Sequence, residues 1–247
     1  LRLENYKTVY GLVSKYIKDE RLRQAFSFEP LLVGGNPTKI TSIYLLIHWL
    51  ERKWGVYFAK GGTNALVKAF EKLLLKKGAT IHTNSSVKKI EVKNGKVKRV
   101  ITQDEKIFEC DLIVSNADPV RVYRDMIDKK HRSKHSNFRL NRKQHSMSLF
   151  VAYFGAKKTF PELAHHTILM GPRYNGLLND IFTKKKLADD FSLYLHAPTR
   201  TDSSMAPEGH ECFYVLSPVP NSEGKVNWKE EEKRYKEKIY KWLDQNH

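Results

Sequence analysis

The spacing of apolar positions predicts helices at the start of the chain. Apolar residues recur every three or four positions over residues 3–17 and again over residues 20–32, which is the spacing of one helix face. A third such run extends to Trp54, and Thr41 or Ser42 can cap its first turn. We therefore predict that residues 1–58 form a helical segment.

The pattern changes after residue 58. Gly61 and Gly62 open a further amphipathic run that ends at Gly78, which predicts a helix. Alternating apolar residues then flank the dipeptide Asn94-Gly95, a strong signal for a hairpin turn. We predict strands at 87–92, 97–101 and 106–109, a short strand at 80–83, a buried strand at 112–114, and a helix at 119–127.

Alternation dominates the second half of the chain. Apolar residues at every other position predict strands at 146–154, 166–170, 191–196 and 213–216, in a mixed or antiparallel sheet. A short helix is predicted near 174–182 and an amphipathic one at 228–243. The fold class is therefore α/β (α+β). Three parts are expected: a helical segment (1–58), a partial nucleotide-binding domain (59–120), and a sheet with helices (121–247).

A strong positive charge accompanies this pattern. The chain has 44 Lys+Arg against 27 Asp+Glu, a formal net charge of +17. Charge of this size is typical of proteins that bind nucleic acid, anionic lipid or an anionic cofactor. One stretch concentrates seven cations: Lys129, Lys130, Arg132, Lys134, Arg139, Arg142 and Lys143. This stretch is either a solvated loop or a lipid-binding segment. Nucleic acid is disfavoured, because Phe138 is the only aromatic residue there for stacking.

Local motifs for chemistry are scarce. The sequence lacks G-x-G-x-x-G, the phosphate-binding loop, G-x-S-x-G and H-E-x-x-H. We therefore expect no metal site, and interpret His165, His166 and His196 as ordinary strand or loop residues. Residues 60–63 (KGGT) precede a helix, where backbone N–H groups can approach a phosphate or a flavin; a plain helix cap is the alternative.

Several longer strings resemble the bacterial phytoene desaturases, which are carotenoid desaturases of the flavin amine oxidase superfamily. They follow in the same order along nearly the whole chain. The strings are LRQAFSF (22–28), LLVGGNP (31–37), WGVYF (54–58), VSNAD (114–118), LAHHT (163–167), DFSLYLHAP (190–198) and TDSSMAPEG (201–209).

The resemblance implies a two-domain FAD-dependent oxidoreductase that desaturates phytoene stepwise toward neurosporene or lycopene. It implies that Gly61 and Gly62 lie close to the flavin and that Val87 contacts the adenine. Asn116 is expected to end a strand near the cofactor. No catalytic acid or base is assigned. The chain begins without Met and matches the central half of the family, so we expect a fragment that lacks both ends and is inactive alone.

Phytoene and its partly desaturated products are hydrocarbons, so their tunnel is expected to be apolar. Residues 149–154 and 43–50 are candidates for its walls. The insoluble substrate, the basic stretch, two distant cysteines and the absence of an apolar span favour a cytoplasmic protein, peripheral at the inner face of the cell membrane. The alternatives are another FAD-dependent carotenoid oxidoreductase or flavin amine oxidase, and a basic non-catalytic binding module.

Overall fold

The computed structural model describes residues 4–246, and the predicted helical start at Leu3 lies outside them. The chain divides into two compact units. The first unit contains residues 4–69 and 145–246, and the second contains residues 70–144. The division into 1–58, 59–120 and 121–247 stays a prediction.

Eight α-helices occur among the described residues. They are α1 (Val9–Tyr16), α2 (Glu20–Ser27), α3 (Leu46–Trp54), α4 (Gly62–Lys76), α5 (Pro119–Arg121), α6 (Asn137–Asn141), α7 (Tyr174–Asn179) and α8 (Trp228–Asn246). The predicted start of α1 is wrong, because the Thr8 hydroxyl caps the helix by accepting the Gly11 N–H and so fixes its beginning at Val9. Thr41 caps the turn that leads into α3, as predicted.

Seven strands form two antiparallel sheets in the part of the chain that is described. They are β1 (Val87–Lys93), β2 (Lys96–Thr102), β3 (Ile107–Glu109), β4 (Ser148–Ala156), β5 (His166–Leu169), β6 (Leu193–His196) and β7 (Glu211–Val219). The first three form a meander in the second unit. The other four form a sheet in the first unit, in the order β4-β7-β6-β5. Both the hairpin at Asn94-Gly95 and the antiparallel sheet are confirmed.

The two faces of the four-stranded sheet differ. On one face Phe213 and Val215 of β7 pack with Tyr235 and Ile239 of α8, and all four are buried. Because side chains alternate along a strand, the opposite face carries Tyr214 and the other even-numbered residues of β7. That second face holds the candidate site described below.

Two predicted strands are not formed. Residues 80–83 and 112–114 lie outside regular structure. Leu112 is 78% exposed and Val114 is 91% exposed, so the prediction of a buried strand there is wrong for this chain. A strand needs a neighbour to satisfy its backbone N–H and C=O groups. Apolar composition alone therefore does not make residues 112–114 a strand.

The apolar side of α4 is also exposed. Leu66, Val67, Phe70, Leu73 and Leu74 recur at helical spacing, and each is about half exposed. The helix ends at Lys76, and Gly78 just beyond it has a φ of +80°, in the left-handed region that glycine favours. The predicted helix is thus confirmed, but within this chain its apolar face remains in contact with solvent.

Candidate functional site

An apolar cavity of about 290 Å³ lies in the first unit against the second face of the four-stranded sheet. Its volume is at the lower end of the range for ligand cavities. The lining is mainly aliphatic and includes Leu31, Met147, Leu149, Ile168, Leu177 and Ile181. Of the predicted walls, Leu149 contributes to the lining. Residues 43–50 are absent from the lining of this cavity among the described residues, and their role as walls of a substrate tunnel stays a prediction.

Tyr194 and Tyr214 line the same cavity and connect it to a cluster of imidazoles. The Tyr194 hydroxyl lies 2.6 Å from Nδ1 of His166 and 3.1 Å from Nδ1 of His196. The His196 ring stacks on Tyr214 with centroids 4.5 Å apart. His166 and His196 face each other across strands β5 and β6, and His165 precedes β5. We call His165, His166 and His196 the histidine cluster.

Desolvation favours the neutral form of the imidazoles in the histidine cluster. His196 is 8% exposed, and desolvation, reinforced by repulsion from His165 and then His166, lowers its pKa to about 4. Desolvation also lowers the pKa of His165 and of His166. The same effect raises the pKa of Tyr194. Neutral imidazoles therefore occupy this part of the sheet at neutral pH.

A second polar cluster lies beside Phe28, which also lines the cavity. Glu29 is buried, and Nδ1 of His48 lies 2.7 Å from its Oε1. Desolvation, together with the neighbouring carboxylate of Glu51, raises the pKa of Glu29 to about 7. This carboxyl group therefore keeps its proton to a higher pH than an exposed glutamate does.

Gly61 and Gly62 lie at the N-terminus of α4 in the first unit, with φ of +82° and +72°. A Cβ on Gly62 would stand 3.3 Å from Cε of Met205. The Gly61 N–H donates to Oδ2 of Asp202 at 2.7 Å. A hydrogen bond from the Ser204 hydroxyl, followed by this one, lowers the pKa of Asp202. The backbone at this helix N-terminus is therefore open to close approach, and the Asp202 carboxylate is bound there.

Val87 and Asn116 belong to the second unit. Val87 is half-buried, begins β1 and pairs with Thr102, next to an irregularity in the register. Asn116 is exposed and follows residues 112–114, which lie outside regular structure. Gly61 and Gly62 are adjacent in the first unit, so the four predicted cofactor residues are divided between the two units.

Sequence reasoning missed the histidine cluster and most of the cavity. Their residues come from separate strands and helices, and no short motif joins them. The available signal was the period of two in β5 and β6, which puts His166 and His196 on the same side as Ile168 and Tyr194. Without the strand register, that signal does not show which residues are neighbours.

Comparisons with known proteins give a consistent result. The family model described as flavin containing amine oxidoreductase matches residues 3–237. A lycopene-forming phytoene desaturase of Pseudescherichia vulneris is 46% identical over 100% of this chain and 50% of its own length. A neurosporene-forming phytoene desaturase of Rhodobacter capsulatus is 40% identical over 97% and 47%. A 4,4'-diapolycopen-4-al dehydrogenase of Metabacillus indicus is 33% identical over 99% and 48%.

The fold also has solved relatives. An oxidoreductase from Methanosarcina mazei aligns with a TM-score of 0.66 at 20% identity, over 96% of this chain and 51% of its own. A protein from Pyrococcus furiosus aligns with a TM-score of 0.68 at 16% identity, over 96% and 54%. The chain spans about half the length of the curated relatives it matches. By the match over residues 3–237, the chain belongs to the flavin-containing amine oxidoreductase family.

Proposed function

We propose that this chain is part of an FAD-dependent desaturase that removes hydrogen stepwise from phytoene toward neurosporene or lycopene. The observation that carries the proposal is the apolar cavity in a chain 40–46% identical to phytoene desaturases. A hydrocarbon offers no group for hydrogen bonding. A cavity lined by Leu31, Leu149, Ile168 and similar side chains suits such a substrate.

Backbone at the start of α4 can approach a cofactor closely, because Gly61 and Gly62 carry no side chains there. The Asp202 carboxylate accepts the Gly61 N–H, so an anionic group bound at this N–H would have to displace it. We infer that these two glycines approach the flavin. We also infer that Val87 contacts the adenine and that Asn116 lies near the cofactor. FAD supplies the chemistry of a hydride acceptor when it is bound.

The chain's own contribution is to hold the polyene and to exclude water. Leu177 and Ile181 are buried on one side of the cavity, and Tyr194 and Tyr214 contribute aromatic rings from the sheet. Rigid apolar contacts of this kind fix the position of an allylic C–H bond relative to its acceptor. They also keep solvent from the reacting carbon atoms.

The exposed apolar surfaces support the view that a longer protein is the active form. Relatives are about twice as long, and the apolar side of α4 and residues 112–114 are large apolar surfaces for a soluble monomer. We infer that the remainder of the longer protein covers them and completes the flavin site. On this basis the 247-residue chain alone is inactive.

We further infer that the protein associates peripherally with membranes, because its substrate partitions into lipid. Among residues 4–246 no helix is both long and apolar enough to cross a membrane. Six cations of the basic stretch are exposed: Lys129, Lys130, Lys134, Arg139, Arg142 and Lys143. Arg132 is an exception, since it is buried and donates to the Ile127 carbonyl and to Asn137. The expectation that all seven cations are available to lipid headgroups is therefore wrong for Arg132.

A second candidate function is another oxidation of a carotenoid. The Metabacillus indicus relative, a 4,4'-diapolycopen-4-al dehydrogenase, covers nearly the whole chain at 33% identity and favours it. The two candidates differ in their products: a desaturase gives a longer conjugated hydrocarbon, whereas an aldehyde dehydrogenase gives an oxygenated carotenoid.

The complete reading frame, expressed in a host that accumulates phytoene, tests the proposal. We expect coloured neurosporene or lycopene in the pigment extract and a yellow, flavin-loaded purified protein. Oxygenated carotenoids without new double bonds would favour the second candidate. Unchanged phytoene in cells that contain the flavin-loaded protein would overturn the proposal.

A further inference from the structure

The histidine cluster brings together three nitrogen atoms that can serve as ligands to one metal ion. One ligand nitrogen from each of His165, His166 and His196 lies within 4.8 Å of the other two. The ring centroid of His165 lies 4.4 Å from that of His166 and 4.6 Å from that of His196. In tetrahedral zinc sites, ligand nitrogens about 2 Å from the metal are about 3.3 Å apart. The three nitrogens therefore lie within about 1.5 Å of the spacing that a tetrahedral zinc site has.

Hydrogen bonds occupy the same nitrogen on all three rings. Nδ1 of His165 lies 2.6 Å from the Thr201 hydroxyl, and Nδ1 of His166 and of His196 both approach the Tyr194 hydroxyl. A phenolic oxygen can accept two hydrogen bonds, so both imidazoles can donate from Nδ1 to Tyr194. This tautomer leaves the Nε2 lone pair of every ring available.

The Nε2 atom of His165 gives the most direct indication that the cluster binds a ligand. Its Nε2 is buried and has no hydrogen-bond partner. A buried polar atom without a partner carries a desolvation cost that a bound ion would remove. Metal-binding histidines also commonly donate their other N–H to a hydroxyl or carbonyl, which is the role of Thr201 and Tyr194 here.

We propose that His165, His166 and His196 bind one divalent transition-metal ion, of the class of Zn²⁺ or Co²⁺, through their Nε2 atoms. Imidazole is a preferred ligand for these ions, and three protein ligands leave one coordination position open. The exposed side of His166 gives an entry path from solvent.

A metal ion at this site would link the edge strand of the sheet to its neighbour. β5 is an edge strand, and His166 of β5 is paired with His196 of β6. A metal ion held by both strands therefore links β5 to the sheet at the end next to the cavity residue Tyr194. The inference uses residues of the first unit only and does not rest on the proposed function.

The test is a Co²⁺ titration of the purified 247-residue chain after removal of metals with a chelator. Four proteins are compared: wild type, His166→Ala, Tyr194→Phe and the control His210→Ala. His166 is exposed, so its truncation opens no buried cavity. His210 is an exposed histidine whose Nδ1 lies 2.8 Å from a backbone carbonyl. The two readouts are the visible d–d absorption of bound Co²⁺ and the thermal unfolding midpoint with and without Zn²⁺.

We expect wild type and His210→Ala to bind one Co²⁺ per chain with tetrahedral d–d bands, and their unfolding midpoints to rise with Zn²⁺. His166→Ala should bind at least tenfold more weakly. Tyr194→Phe removes the hydroxyl that orients two ligands and should bind about 10- to 100-fold more weakly, with the bands retained at saturation. Absence of d–d bands in wild type would overturn the proposal. Equal Co²⁺ affinity in wild type and His166→Ala would also overturn it.

Discussion

At the scale of single residues, the first unit contains ionisable groups whose surroundings, rather than their type, decide their charge. Glu29 is an example, because the sequence places it in an ordinary polar position between Phe28 and Pro30. Its burial beside His48 and Glu51 depends on the packing of α3, which lies about twenty residues further along the chain. The identity of the residue was therefore readable from the sequence, but its protonation state was not.

Glu29 gives a prediction about the pH dependence of stability. Its pKa rises from 4.5 in the unfolded chain to about 7 in the folded one, so between these values the folded state binds the proton more tightly. The free energy of unfolding is therefore largest below pH 4.5 from this group and falls as the pH rises to about 7, by up to about 3 kcal/mol. Urea unfolding at pH 5 and pH 8 measures this loss.

Glu29→Gln provides the comparison, since its amide stays neutral at both pH values. We expect the variant to lose less stability than wild type between pH 5 and pH 8. Glu162→Gln, at an exposed position, is the matched control and should behave as wild type. An identical pH dependence in wild type and Glu29→Gln would show that this carboxyl group does not titrate as described.

At the scale of elements, the sequence correctly predicts turns and helix ends that are specified by a few neighbouring residues. The Asn94-Gly95 turn, the Thr41 cap and the glycine end of α4 are all local, and all are confirmed. Residues 80–83 and 112–114 were predicted as strands from composition alone and are not strands. Whether an apolar segment becomes a strand depends on a partner that local sequence does not specify.

The basic stretch is the element whose proposed role is easiest to isolate. Its six exposed cations should each contribute about 1 kcal/mol of attraction to an anionic surface. We expect the chain to co-sediment with vesicles containing anionic lipid, and to do so much less when these six residues are changed to Gln. Arg132 is left unchanged because it holds the segment together through Ile127 and Asn137.

A matched variant controls for net charge in this experiment. It changes six other exposed lysines to Gln: Lys157, Lys158, Lys225, Lys229, Lys233 and Lys241. Binding should be retained there to a greater degree than in the basic-stretch variant. Equal loss in both variants would mean that total charge, rather than the basic stretch, governs vesicle binding.

At the scale of the whole molecule, the cavity is lined by residues that are far apart in the sequence. Leu31 precedes β4, Leu149 lies within it, and Leu177 follows the end of β4 by about twenty residues, yet all three line one cavity. The resemblance predicted an apolar site, and Leu149 of the predicted walls lines this cavity. The other lining residues come from the turn after α2, from α7 and its continuation, and from the sheet, and periodicity along the chain does not show how these elements pack. The charge of +17 is that of a chain that spans about half the length of the curated relatives it matches.

The most direct test of the account is the amount of coloured polyene made from phytoene by the full-length protein carrying Leu149→Trp. Leu149 lines the cavity and is 47% exposed, so a larger ring can fill the cavity without overpacking the core. Tyr153→Trp, on the same face of β4 but outside the cavity lining, is the control.

We predict that Leu149→Trp lowers coloured polyene about tenfold or more, while flavin content and Tyr153→Trp activity stay near wild type. Undiminished desaturation by a flavin-loaded Leu149→Trp protein would contradict the assignment of this cavity to the hydrocarbon substrate.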